Sequence, residues 1–414
     1  MSIMKTAPHR RSPFSAALRG WRDAITPGLG LLVASVASGA LAQQAQKEEL
    51  RQIVLPAGGM AASASSVTIY GLIDTSLASV SNPGGQTQRL DSGHMNGSRL
   101  GFKGSEDLGG GLRANFLLEM GVNSDTGTLG QNQGAGAKGF GRGSVVGLSG
   151  ALGEVRLGRT VVSIGSEAQA VGDAFGLGGG GNLQGIQPAP GRVNNTLWYQ
   201  SPSLGGLLAK LSYSPGETSV TSGASPGSSA GASTAMALFY ANGKLSGALA
   251  YSTYRQRTDA STLRWLHATG AYDFGGAKLF GSYATFRNPG VATTPAAQAA
   301  ADNNLSFAGF PTVGYYSGQD DRSASLGIAV PFGASTVLAQ VVKVDDRGPL
   351  NRDATQIGVA YLYALSKRTT VYIDYGRVNN RNGAAYAVTG ATTQAGLNGS
   401  GDSSALHVGI RAAF

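Results

Sequence analysis

The chain of 414 residues contains no cysteine. That excludes disulfide staples, thiolate metal sites and a cysteine nucleophile, and it suits passage through an oxidising compartment. Charge is also scarce: Asp, Glu, Lys and Arg make up 13% of the chain, about half the 25% of an ordinary soluble domain. After residue 42 the chain also lacks any apolar run near the roughly 20 residues that a membrane-crossing helix needs. The low charge argues against a typical soluble globule, and the missing runs argue against a helical membrane protein. Glycine (64) and tyrosine (15) are plentiful instead, and mean hydropathy is −0.04. Such an average arises when lipid-facing apolar residues alternate with polar residues facing a wet interior.

The first 42 residues read as an address. Lys5, Arg10, Arg11, Arg19 and Arg22 form a basic start, Leu29 to Leu41 is apolar, and Ala40-Leu41-Ala42 is a small-x-small cleavage site. Residues 1–42 are therefore expected to be a secretory signal peptide. Its five basic residues and Asp23 leave with it, so the net charge falls from +9 to +5. Residues 43–65 are either a periplasmic extension or a further piece of leader.

From Val67 onward the pattern has period two. Leu406, Val408, Ile410, Ala412 and Phe414 alternate with small or polar residues, as do Leu112–Met120, Ala324–Phe332 and Ile357–Leu365. Seven tight turns are predicted at Asp107–Gly111, Gly150–Gly153, Pro202–Gly206, Asn242-Gly243, Phe274–Ala277, Phe332–Ala334 and Ser366–Arg368. Between them lie eight longer polar stretches, at 82–97, 123–141, 161–192, 215–233, 255–262, 288–320, 345–352 and 379–402. Seven short turns and eight long loops predict an all-β chain: a 16-stranded antiparallel transmembrane β-barrel over residues 66–414. Closure satisfies every backbone group in lipid and leaves no sheet edge. Tyr70, Tyr199, Tyr213, Tyr251, Tyr272, Phe274, Phe332 and Phe414 fall near strand ends, where interfacial girdles are expected.

Parity assigns faces to charges. A charge on the lipid face near mid-membrane costs about 2–4 kcal/mol. Arg99 and Lys103 are therefore expected in the lumen, opposite in parity to Leu100 and Phe102, and so are Arg113, Glu119, His407 and Arg411. The face of Arg142 is open. Arg159 falls outward by parity, at a strand end or in a subunit contact.

Several of these segments carry a resemblance. Ser66-Val67-Thr68-Ile69-Tyr70-Gly71-Leu72-Ile73-Asp74, the run Ser98 to Leu112 (SRLGFKGSEDLGGGL), Val146–Gly150, Val155–Arg159, Asn194-Asn195-Thr196, Tyr199–Pro202, Leu365–Thr369 and the terminal Phe414 resemble the general trimeric porins of β-proteobacteria. The 43–65 segment departs from that family, whose members enter strand one soon after cleavage. The resemblance implies a passive outer-membrane diffusion channel, non-enzymatic and without cofactor, that assembles as a homotrimer. It implies a third external loop, here 161–192, folded into the barrel, with Glu167 and Asp173 as its constriction acids and Arg99, Arg142 and Arg192 on the facing wall. It also makes Phe414 the outer-membrane assembly signal read by the barrel assembly machinery. Lipid and lipopolysaccharide surround such a barrel, and small hydrophilic solutes and anions pass through it. Fixed rings of charge select by sign, so lumen arginines and a net charge of +5 favour anions.

Other signals are weaker. Gly176–Gly181 satisfies G-x-G-x-x-G but does not open a helix after a strand, so it is not a dinucleotide site. His94, His267 and His407 are far apart in the chain, without zinc-like spacing. Asp320-Asp321 and Asp345-Asp346 read as solvated loop charge, where external divalent cations could bridge lipopolysaccharide. The basic excess is too dispersed for nucleic acid. A substrate-specific channel and a surface adhesin on the same scaffold are the rival functions.

Overall fold

Alternation turns one side of each strand apolar, and tight turns set successive strands side by side. The computed structural model describes residues 65–130, 138–187, 189–215, 231–255, 261–289, 318–392 and 401–414. The leader, residues 43–64 and parts of six predicted loops lie outside the described residues. The first strands are β1 (Ser66–Asn82), β2 (Gly85–Ser92), β3 (Arg99–Gly109), β4 (Leu112–Val122), β5 (Leu129–Gly130), β6 (Gly143–Gly150), β7 (Gly153–Arg159), β8 (Thr196–Gln200) and β9 (Leu207–Ser214). Then come β10 (Ser233–Asn242), β11 (Leu245–Arg255), β12 (Thr262–Asp273), β13 (Lys278–Asn288), β14 (Gln319–Phe332), β15 (Ser335–Asp346), β16 (Ala354–Ala364), β17 (Thr369–Asn380) and β18 (Ser403–Ala413). One helix, α1 (Ile164–Val171), and a 3-10 turn at Leu183–Gly185 separate β7 from β8.

Every neighbouring pair is antiparallel, and β1 pairs with β18 from Leu72↔Ala413 to Ser81↔Ser404, so the sheet closes. The lower half of β1 pairs with β3 and its upper half with β2. β2 and β3 are thus one stave, broken at 93–98. In the same way β4 pairs with β5 and β6, which form another broken stave. The 18 segments therefore make the expected 16-stranded barrel.

All seven predicted tight turns join consecutive strands. Asn242-Gly243 needs its glycine, because φ at Gly243 is 57°, a left-handed value that costs other residues energy. One predicted loop is corrected. Residues 82–97 are largely strand: β1 runs on to Asn82 and returns as β2. The hairpin's polar alternation carries no apolar face, so the membrane pattern used to recognise strands missed it.

The apolar face points outward. Leu326, Ile357, Leu365, Val408, Ile410 and Phe414 are exposed, and they repeat all round the barrel with Leu77, Leu211 and Leu249. A soluble monomer does not carry so extensive a patch, whereas lipid covers it. The other face holds the polar set Asp74, Glu119, Lys210, His267, Gln340 and Asp374, all buried.

Candidate functional site

Two chain segments pack against the buried face of the strands. The first begins with α1, whose N-cap Ser163 accepts a hydrogen bond from Ser166 N–H at 3.2 Å. Its Ile164 and Ala168 pack on Ala235, Ala237, Ala248 and Ala250, small residues on the inward positions of β10 and β11 that leave room for a helix. Thr269 Oγ1 donates to Ala168 O at 2.6 Å. Beyond the helix, the glycine run presses backbone on backbone. A Cβ on Gly358 of β16 would fall on Gly181 Cα, and one on Gly376 of β17 would fall on Gly180 O. The run Gly178–Gly181 is thus explained by close approach to the wall rather than by a phosphate.

Two wall glutamines hold this segment. Gln340 Nε2 donates to Asp173 Oδ1 and to Gly181 O at 2.9 Å, and its Oε1 accepts from Ala174 N–H at 2.8 Å. Gln356 Nε2 donates to Asn182 O at 2.7 Å. Sequence reading did not single out these glutamines, although they stand at inward parity on strands whose outer positions are apolar.

The second inner segment was not anticipated. Residues 384–392, predicted as part of an external loop, lie against Val80, Val342, Val344 and Val378 through Ala384, Tyr386 and Val388. Asn182 Nδ2 donates to Thr389 O at 2.7 Å, and Ala391 N–H donates to His94 O at 2.7 Å. Those inward valines are the signal that could have revealed it, since apolar residues on a lumen face need a cover.

The basic residues gather on the early strands. Arg99 pairs in register with Leu72 and Lys103 with Thr68, on the same inward face as Tyr70. Lys103 Nζ lies 5.3 Å from the Tyr70 ring centroid. Arg113 donates from Nε to Ser105 Oγ at 3.1 Å. Arg142 sits one residue ahead of β6 and turns inward, where its Nε donates to Glu119 Oε1 at 2.7 Å. Tyr70 Oη donates to Glu119 Oε2 at 2.8 Å, and Arg99 Nε stands 3.9 Å from the same oxygen. Arg192 lies in the field of Arg142, Arg159 and Arg99, which repel it, and of Glu119, which attracts it. Arg99, Arg142 and Arg192 are thus brought together around Glu119, while Arg113 and Lys103 lie nearer the short-turn end of the staves. Tyr70 belongs to this inner cluster and not to an outer girdle.

The two loop acids lie elsewhere. Glu167 on α1 pairs with Lys210 Nζ of β9, which also stacks over Trp198 and Phe239 at 5.4 and 5.0 Å. Asp173 accepts from Phe175 N–H at 3.0 Å, Leu177 N–H at 2.9 Å and Leu183 N–H at 3.1 Å, and burial pushes its carboxyl up from the usual value. The carboxylate among the arginines is Glu119, from the wall. Its place was legible: the turn after β3 sets Gly101 opposite Glu119 and makes Arg99 its diagonal neighbour.

Three further placements follow. Arg159 ends β7 and donates from Nε to Gly141 O at 2.7 Å. Phe414 exchanges two backbone hydrogen bonds of 3.0 Å with Gly71, closing the last stave on the first. Asp321 and Asp346, read as solvated loop charge, are buried cross-strand partners on β14 and β15. Their strands extend further outward than the apolar pattern indicated.

Comparison with known proteins gives one consistent picture. Residues 30–384 match the family model described as Gram-negative porin. Outer membrane porin protein 32 of Delftia acidovorans is 30% identical over 386 residues, covering 89% of this chain and 100% of the relative. An outer membrane porin protein of Bordetella pertussis is 31% identical over 372 residues, covering 79% and 92%. Among solved structures, an anion-selective porin from Comamonas acidovorans superposes with a TM-score of 0.67 at 28% identity, covering 84% of this chain and all of that one.

Proposed function

This chain belongs to the Gram-negative porin family, and from that premise we propose that its barrel is a general diffusion channel for small hydrophilic solutes and ions, with a modest preference for anions. The protein is an outer-membrane β-barrel: its closed sheet satisfies its own backbone and its apolar face fits lipid. The interior is polar, as a water-filled passage requires.

One observation carries the selectivity. Arg142 and Arg99 pair with one carboxylate, Glu119, and Arg192 lies in the field of all three. The local balance is positive, and in a narrow passage of low dielectric a fixed charge acts strongly on a passing ion. In this reading the segment from Thr160 to Val193 narrows the passage from the opposite wall. Glu167 and Asp173 belong to that narrowing segment and serve chiefly to hold it, through Lys210 and through backbone N–H groups. The relative that carries anion selectivity in its description supports the same sign.

A homotrimer is part of the proposal. β7 has seven residues and β8 five. At about 3.4 Å per residue a five-residue strand is about 17 Å long even untilted, less than the roughly 25 Å apolar band of such barrels. A wall this low needs cover, and a second copy of the chain supplies it. Contacts with lipopolysaccharide through the outer loops, and recognition of Phe414 by the barrel assembly machinery, complete the reading.

Liposome swelling and single-channel recording test it. The expected result is entry of small sugars with conductance linear in salt. Saturable block by one solute would favour a substrate-specific channel, and failure to admit sugars would favour a plugged barrel with an adhesive role.

A further inference from the structure

The histidines that lie far apart in the sequence meet inside the barrel. His94 comes from the break between β2 and β3, and His407 from β18. Their rings stack with centroids 3.4 Å apart and planes 12° apart. Asp374 of β17, the cross-strand partner of His407, stands 2.7 Å from His94 Nε2 through its Oδ1. One donor atom from each of His94, His407 and Asp374 lies within 4.8 Å of the other two, and all three residues are buried. Spacing along the chain argues against zinc, and barrel closure removes that objection.

We propose that His94, His407 and Asp374 form a binding site for a divalent transition metal of the zinc class. Two buried atoms point to a missing partner: among the described residues, His407 Nδ1 and Asp374 Oδ2 have no hydrogen-bond partner. A buried imidazole nitrogen and a buried carboxylate oxygen left in this state each carry a desolvation cost. A dication bound by both removes that cost at once. The other nitrogen of His407, Nε2, is 3.1 Å from Asp91 Oδ2. That is the carboxylate–histidine–metal arrangement: the outer carboxylate holds the proton on Nε2 and turns the lone pair of Nδ1 toward the metal. Two imidazoles and one carboxylate suit zinc, copper or nickel, whereas calcium and magnesium favour all-oxygen shells. Ligand atoms at 2.0–2.1 Å from a tetrahedral ion stand about 3.4 Å apart, so the three side chains need to close by about 1 Å and the two stacked rings to turn out of parallel, so that both in-plane lone pairs reach the ion. A fourth position is left for solvent.

The site joins five parts of the chain. Besides its ligands from 93–98, β17 and β18, Gly180 N–H donates to Asp374 Oδ1 at 2.8 Å and Gly179 N–H to His94 O at 2.9 Å. Bound metal would thus fasten the inner segment 160–193 and residues 389–392 to the closing staves, independently of what passes through the channel.

The test uses the full chain folded in detergent, stripped with EDTA, reloaded with zinc chloride and desalted before metal analysis. The expected result is one zinc per chain, with a zinc-edge X-ray absorption spectrum showing two imidazole ligands. His407→Ala and Asp374→Asn should abolish stoichiometric zinc, Asp91→Asn should weaken zinc affinity about 10- to 100-fold, and His267→Ala should retain it. Unaltered protein that holds no zinc, or a first shell of oxygen alone, overturns the proposal even where the variants fail to fold. Full zinc retention by folded His407→Ala overturns it as well.

Discussion

Gly71 and Phe414 donate to each other's carbonyls at 3.0 Å, and the Phe414 ring lies where a Cβ on Gly71 would stand. The last residue of the chain therefore closes the barrel, and the first stave is cut to receive it. Gly71→Val should lower the yield of folded, heat-modifiable barrel, because the new side chain also meets Arg99 O at 2.9 Å from its Cβ. Phe414→Ala keeps both backbone bonds. It should leave the refolded barrel's stability nearly unchanged in detergent but, under the proposed recognition of the ring by the assembly machinery, reduce assembly in cells. Urea unfolding of refolded protein beside quantification in outer-membrane fractions separates the two effects.

Lys210 and Glu167 form a buried pair between wall and helix. Removing one partner of such a pair leaves an uncompensated charge and costs about 3–5 kcal/mol. Lys210→Met should therefore release α1 and expose the segment around it to protease. The double change Lys210→Met with Glu167→Leu should recover most of the loss, since neither charge remains. Limited proteolysis and chemical unfolding of the single and double variants check this.

Gly358 stands against Gly181 without room for a side chain. Gly358→Leu should push the glycine run off the wall and, if that run narrows the channel, change single-channel conductance. Gly247 on β11 is the control, because a Cβ there meets only Thr269 O at 3.4 Å. Gly247→Ala should conduct like the unaltered protein.

How much of this was legible follows the physics of each feature. Alternation and turn chemistry determine the barrel directly: Leu406, Val408 and Ile410 face outward because a one-residue slip would put Arg411 into lipid, and Ile357, Val359 and Tyr361 because it would turn Gln356 outward. Parity likewise placed Arg99, Lys103 and Glu119. It could not place Arg142, which precedes β6 and is governed by a bend rather than by pleat. The hairpin at 82–92 was missed because no apolar face marks a strand that stands clear of the membrane. The His94–His407 stack was invisible for another reason. It depends on closure between β1 and β18 and on the break at 93–98, and no local pattern reports either.

The low wall at β7 and β8 gives a prediction about assembly. Leu157 faces outward on β7 and is exposed in the single chain. Leu157→Arg should dissociate the proposed trimer while leaving the barrel folded. Blue native electrophoresis in mild detergent reads the outcome: trimer for the unaltered chain and monomer for the variant. A monomer for both would remove the trimer from the account.

The central claim is that arginines around Glu119 set the sign of what crosses the barrel, and the reversal potential in a potassium chloride gradient tests it most directly. The account predicts anion preference for the unaltered protein, a loss of that preference in Arg142→Ala, and an increase in Glu119→Gln. Cation preference in the unaltered protein, or no shift in either variant, would contradict it.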